Sequence, residues 1–168
     1  SAKPEINLDK TKNGIRLISL KNKRLPLTDI CMVMPGGVIL ENSEIAGTGR
    51  LLSAMLGTGT GSYSEKELAE ILDDQSIDLN ISGGSNTMTL RMNFMPDKLA
   101  SAMDILKSIL TEPLFGKTEF EREQKNSLSM IESRKMSPRH VAEDRLFSLM
   151  YGRHPYGNPA CGSTESIK

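Results

Sequence analysis

The chain has no tryptophan, few aromatic residues of any kind, and only two cysteines and two histidines. These shortages remove several function classes. Cys31 and Cys161 lie far apart in sequence. They form neither a thiolate metal motif nor a C-x-x-C redox pair, and they are too few to frame a disulfide-stapled scaffold; buried free thiols are the expectation for both. His140 and His154 are the only imidazoles. A serine nucleophile such as Ser53 would need one of them alongside, a third orienting group and an oxyanion hole, and the sequence signals none of these. His140, next to Arg139, reads as a surface or interface side chain, and His154 in a His-Pro-Tyr-Gly turn as a loop-orienting one. Lys+Arg and Asp+Glu balance at 21 each, so no global field draws the chain to nucleic acid or anionic lipid. No apolar run approaches the roughly 18 residues that cross a bilayer. Neither nucleic acid nor membrane is therefore an expected partner. Ser1-Ala2 reads as a cloning scar or processing product and is set aside, which leaves the compartment open.

What is present is enough for one domain. A chain of 168 residues buries roughly 70% of its unfolded surface, and ten methionines supply adaptable core filling where aromatics are scarce. Ile6 to Leu8 and Ile15 to Leu20 read as strands around an Asn13-Gly14 turn. Lys21-Asn22-Lys23-Arg24 reads as a solvated hairpin end. Leu27 to Met34 carries Ile30, Met32 and Met34 on one face and Cys31 and Val33 on the other, which points to a central strand; Pro35-Gly36-Gly37 ends it. Ser64-x-x-Glu67 is a capping box before an apolar face of Leu68, Ala69, Ile71 and Leu72. Asp78 to Ser82 and Thr87 to Phe94 pattern as antiparallel strands joined through Gly83-Gly84-Ser85-Asn86. Pro96-Asp97 opens a helix with Leu99, Met103, Leu106 and Leu110 at helical spacing, and Pro113 follows its end. A long charged helix runs from about Lys117 to Ser133, and Pro138 begins another that reaches Tyr151. Strands, helices, strands and helices in this order predict an α+β domain, with helices packed on an antiparallel-rich sheet.

The stretch from Thr48 to Thr60 reads as a helix and its exit. Leu51, Leu52, Met55 and Leu56 cluster on an apolar face, and Arg50, Ser53 and Ala54 share the other at i, i+3 and i+4. The Gly57–Ser62 run lacks the Lys-Ser/Thr pair of a phosphate loop and follows a helix rather than a strand, so a flexible helix exit is expected. Glu41 and Glu44 flank the helix entry, where carboxylates are ordinary partners of a helix N-terminus rather than metal ligands.

From about Ile6 onward the chain resembles the insulinase-like (M16, pitrilysin-type) zinc peptidases. The residues that carry the resemblance are Asn13-Gly14-Ile15-Arg16, Leu25-Pro26-Leu27, Met34-Pro35-Gly36-Gly37, the Thr48–Thr60 helix, Phe120-Glu121-Arg122-Glu123, and Tyr151 to Gly157 with Gly162-Ser163. The resemblance implies a metallohydrolase fold of that type, truncated at its C-terminus within residues 1–168. It also sets Arg50, Ser53 and Ala54 in the frame of an inverted zinc motif, H-x-x-E-H. None of the three can serve there: arginine is a permanent cation, serine has little basicity, and alanine has no donor. The family's third ligand, a glutamate, falls on Met130. Its outer partner glutamate, about two turns earlier, is retained as Glu123. Glu132 lies about 200° around the helix from Glu's place at Met130 and cannot substitute.

A catalytic zinc site needs three protein ligands, an open position and a base. The resemblance therefore implies a degenerate domain that does not cut by itself and holds no cofactor. It implies a non-catalytic half of a zinc metalloendopeptidase, forming chamber wall and peptide contacts. The zinc would lie in a homologous partner half, in the same chain or a separate subunit. The alternative is a non-proteolytic scaffold subunit, like the core proteins of respiratory complexes. An uncovered sheet edge or apolar face, and self-association through it, are further expectations.

Overall fold

The structure, a computed structural model, describes residues 5–22 and 24–168, so Ser1-Ala2 and Lys23 lie outside the described residues. Strands β1 (Ile6–Lys10) and β2 (Arg16–Leu20) pair antiparallel, with Ile6 opposite Leu20 and Lys10 opposite Arg16. The turn between them is closed by the Thr11 N–H donating to the Ile15 carbonyl and the Ile15 N–H to Thr11 Oγ1. Every residue of both strands is exposed. Lys21, Asn22 and Arg24, expected as part of a hairpin end, instead follow β2; the hairpin tip is the 11–15 turn.

A second sheet holds β3 (Thr28–Pro35), β4 (Asp78–Gly83) and β5 (Thr87–Phe94) in the order β3-β5-β4, all antiparallel. Alternation along β5 places Met88, Leu90, Met92 and Phe94 inward and sealed from water. Ile30, Met32 and Met34 of β3 and Leu79 and Ile81 of β4 extend the same face. Helices α2 (Glu65–Asp74) and α3 (Leu99–Thr111) complete this core, through Leu68 on the first and Ala102, Ile105, Leu106 and Ile109 on the second. The α+β expectation of helices on an antiparallel sheet holds.

Two expectations within it do not. The central strand is β5, and β3 lies at an edge. Cys31 stands opposite Arg91 and Val33 opposite Thr89, in a row that also holds the Asp29–Arg91 ion pair. Val33 is 58% exposed and Cys31 is exposed too. Two small apolar residues mimic a second buried face, but the cross-strand neighbours make it polar. On α3 Leu106 is buried and Leu110 packs on the core as expected, but the buried stripe continues through Ala102, Ile105 and Ile109 and leaves Leu99 and Met103 nearly half exposed. The sequence stripe was centred one position too far round because Ala102 carries little hydrophobic signal.

Two capping features follow the sequence closely. Ser64 and Glu67 close the capping box of α2 in both directions, and Pro138 opens α5 (Pro138–Tyr151). Helix α1 (Thr48–Met55) lies against β4 and against α4 (Lys117–Lys135). Its exit is tied down rather than flexible. Thr58 and Thr60 are buried, the Thr60 N–H donates to the Tyr63 carbonyl, and the Gly61 N–H donates to the Glu112 carbonyl beyond α3. A smaller apolar cluster forms where α4 meets the short α6 (Thr164–Ile167), around Ile131, Cys161 and Ile167. No helix among the described residues is long and apolar enough to cross a membrane.

Candidate functional site

Helix α1 starts at a constraint. Gly47, just before it, has φ of 89°, a left-handed conformation that glycine takes without strain. A side chain there would also stand 2.6 Å from the Cys161 carbonyl. The Gly47 N–H donates to Glu41 Oε2 at 2.8 Å, and the Gly49 N–H to Oε1 at 2.7 Å. The buried Glu41 carboxylate thus caps α1 with both oxygens, where the positive end of the helix favours an anion. Glu44 is exposed. The reading of these two carboxylates as helix partners holds for Glu41.

The three positions set in the zinc frame do not share one open face. Leu51 and Met55 are buried, as the apolar pattern predicts, but Leu52 is 38% exposed. Ser53 is buried, and its hydroxyl donates to the Gly49 carbonyl at 2.8 Å. It faces β4 closely enough that a side chain at Gly83 would lie 3.0 Å from its oxygen. Arg50 and Ala54 are exposed. Arg50 and Ala54 lie roughly 60° and 100° round the helix from Ser53, both on the same side of it.

On α4, Met130 is half-buried and packs on the Ile131–Cys161–Ile167 cluster. Glu123 accepts from Arg122 Nε at 3.0 Å and from Asn126 Nδ2 at 3.3 Å. Arg122 also forks onto Glu65 of α2 at 2.8 and 2.7 Å, and these carboxylates hold its guanidinium well above the ordinary arginine range. Glu132 is engaged by Lys135 at 2.7 Å. The residues at these places do not suit zinc: a guanidinium, a methyl group and a thioether are not a zinc donor set. No cluster of three or more His, Cys, Asp or Glu that could hold a metal occurs among the described residues.

The cysteine expectation is half right. Cys161 is buried, and burial pushes its thiol above the ordinary range; Cys31 is exposed on the outer face of β3. The His154 Nδ1 accepts from the Tyr156 N–H at 3.2 Å, and its ring meets that of Tyr156 edge-on, which is the loop-orienting role expected of it. The His140 Nδ1 is buried without a hydrogen-bond partner.

Sequence reasoning missed a cleft between α5 and the 156–160 segment. It has a volume of about 290 Å³ and an aromatic side formed by Phe147, Tyr151 and Tyr156. The Tyr156 hydroxyl donates to Asn86 Oδ1 in the β4–β5 turn, which fixes that ring across the cleft. Phe147 and Tyr151 stand at i, i+4 on α5, a spacing visible in the sequence. Their meeting with the 154–157 turn is long-range and was not.

The family described as Insulinase (Peptidase family M16) matches over residues 16–164. The chain belongs to this family. Among curated M16-like relatives, an uncharacterized zinc protease of Rickettsia felis is 24% identical over 98% of this chain and 40% of its own length. A non-peptidase homolog of Helicobacter pylori, YmxG, is also 24% identical, over 92% of this chain and 36% of its own. The chain thus spans about 40% of the length of such relatives. Among solved structures, a peptidase M16 inactive domain from Pseudomonas fluorescens superposes with a TM-score of 0.91 at 21% identity, over 96% of this chain and 40% of that one. A protease from Helicobacter pylori gives 0.88 at 18% identity, over 98% and 40%. These likenesses establish the M16 fold for the chain.

Proposed function

We propose that residues 1–168 are part of one M16-like domain, the non-catalytic half of a zinc metalloendopeptidase, contributing chamber wall and peptide contacts beside a zinc-bearing homologous half. The observation that carries this reading is the state of α1. Its one hydroxyl in the motif frame is buried and donates to Gly49, while Arg50 puts a fixed positive charge at a place where a metal would need a donor. Met130 on the facing helix adds a thioether embedded in an apolar cluster. One relative named a non-peptidase homolog, and a solved structure described as an inactive domain, are in keeping with it. On this reading Glu123 keeps a structural role, positioning Arg122 between α4 and α2.

The test is zinc titration with peptide cleavage, on the chain alone and mixed with a zinc-bearing M16 half. The chain alone is expected to bind no stoichiometric zinc and cut nothing, and to change the peptide affinity or turnover of the zinc-bearing half. Tight one-to-one zinc between α1 and α4, or metal-dependent cleavage abolished by changes on α1, would overturn it. The second reading, a scaffold subunit, is favoured by the exposed apolar side chains of α5. Firm association with a non-proteolytic assembly, and no effect on any zinc-bearing half, would select it.

A further inference from the structure

The aromatic cleft has a second chamber. A space of about 140 Å³ adjoins it, lined by Arg50, Glu41 and the backbone at Gly37 and Gly84, and Val38, Ser85 and Ala160 border both. Of the four charged side chains around the two chambers, Glu41, Arg50, Arg134 and Asp144, Arg50 is the one with neither a side-chain hydrogen bond nor an ion pair among the described residues. Both Glu41 oxygens are taken by backbone N–H groups, and its charge is offset by the helix end that it caps. Arg134 and Asp144 hold each other at 2.8 Å. The arginines in ion pairs among the described residues are Arg91, Arg122, Arg134 and Arg139; Arg50 is not one of them. Its guanidinium presents a planar fork of donors that matches a carboxylate, next to rings that suit an apolar side chain.

We propose that this double cleft binds a peptide bearing a carboxylate beside an apolar or aromatic side chain. Arg50 holds the carboxylate, and Phe147, Tyr151 and Tyr156 hold the side chain. The residue that removes zinc chemistry from α1 thereby supplies an anchor of a different kind. The proposal rests on the reading of the chain as a peptide-contacting wall. The carboxylate has two sources, a peptide C-terminus or an Asp or Glu side chain, and one experiment separates them.

Fluorescence anisotropy on the 168-residue chain would use three labelled, otherwise neutral peptides. One ends in phenylalanine with a free carboxylate, one is the same peptide amidated, and one is amidated with an internal Glu-Phe pair. Binding of the first but not the second assigns the peptide terminus; binding of the third assigns the side chain. In either case Arg50→Gln is expected to weaken the acidic peptide about tenfold or more, as loss of one charge-assisted pair does. Arg50→Lys should restore part of the affinity, and Phe147→Ala should weaken every peptide that binds. Both positions are exposed, so circular dichroism should show the fold unchanged. Peptide binding indifferent to Arg50→Gln and Phe147→Ala would overturn the cleft and leave the wall reading standing. Failure of all three peptides to bind up to about 1 mM overturns the cleft as well, and the wall reading falls with it only if the chain also leaves a zinc-bearing half unaffected.

Discussion

Along β5 every second side chain is sealed from water; along α5 none is. The two elements are similarly rich in apolar residues, so composition does not separate them. Around β5, Phe94, Leu90 and Met92 meet β3, β4, α2 and α3 in one continuous core. On α5, Val141, Leu146, Phe147, Leu149 and Met150 are all exposed and point in all directions around the axis. A helix apolar on every side is one that buries itself among several neighbours. The sheet layer is thus satisfied by its own chain, while the α4–α6 layer holds three sealed side chains, Ile131, Cys161 and Ile167. That half of the molecule, with the β1–β2 hairpin, presents the uncovered apolar surface that invites association.

The sharpest test of this contrast is truncation on each side. Phe94→Ala should cost about 3–5 kcal/mol of unfolding free energy, whereas Leu149→Ala should stay within about 0.5 kcal/mol. Urea titrations of both variants check this, and equal losses would break the contrast. Next in size is the junction between the layers. Glu41→Ala strands two N–H groups at the start of α1 and should cost about 1–3 kcal/mol, with faster amide exchange at Gly47 and Gly49.

Acid should then separate the halves by direction. Hydrogen bonds from Ser64 hold Glu67 below the usual carboxylate range; Lys135 does so for Glu132, Arg139 for Glu143, and local backbone and Ser163 bonds for Glu165. A carboxylate depressed on folding contributes stability above its unfolded value, near pH 4.3, and loses it as pH falls through the folded value. Three of these four belong to α4–α6, so amide protection there should fade below about pH 4.3 before it fades in β5. Hydrogen exchange across that range reads the order directly.

The smallest effect is on the thiols. Cys31 should react at once with a disulfide reagent, and Cys161 only as its cluster opens. Burial raises the Cys161 thiol, so its contribution is complete below the ordinary thiol range, near pH 8.5, and lost as pH climbs above it.

The legible parts of the fold were those written locally. The β5 alternation, the Ser64–Glu67 box, the Pro138 start and the Asn13-Gly14 turn all needed only neighbouring residues. The misread parts depend on what faces them. Cys31 and Val33 read as the second apolar face of a central strand because Arg91 and Thr89 opposite them are remote in sequence, and the run after α1 reads as a flexible exit because Glu112 is remote too. The candidate site is readable from sequence only as residue types, and Arg50, Ala54 and Met130 are not zinc donors. It was not legible in its geometry, because Ser53 turns to β4 and the aromatic cleft joins α5 to the 154–157 turn.

Thr60 has a consequence for the order of folding. Its segment joins the exit of α1 to the end of α3, with Ser62 reaching Glu112 across fifty positions of chain. Closing so long a loop carries an entropic cost before any contact rewards it. The knot should therefore form after the β4–β5 hairpin has nucleated, and slow refolding in Thr60 variants, with unchanged early strand protection, would record that sequence of events.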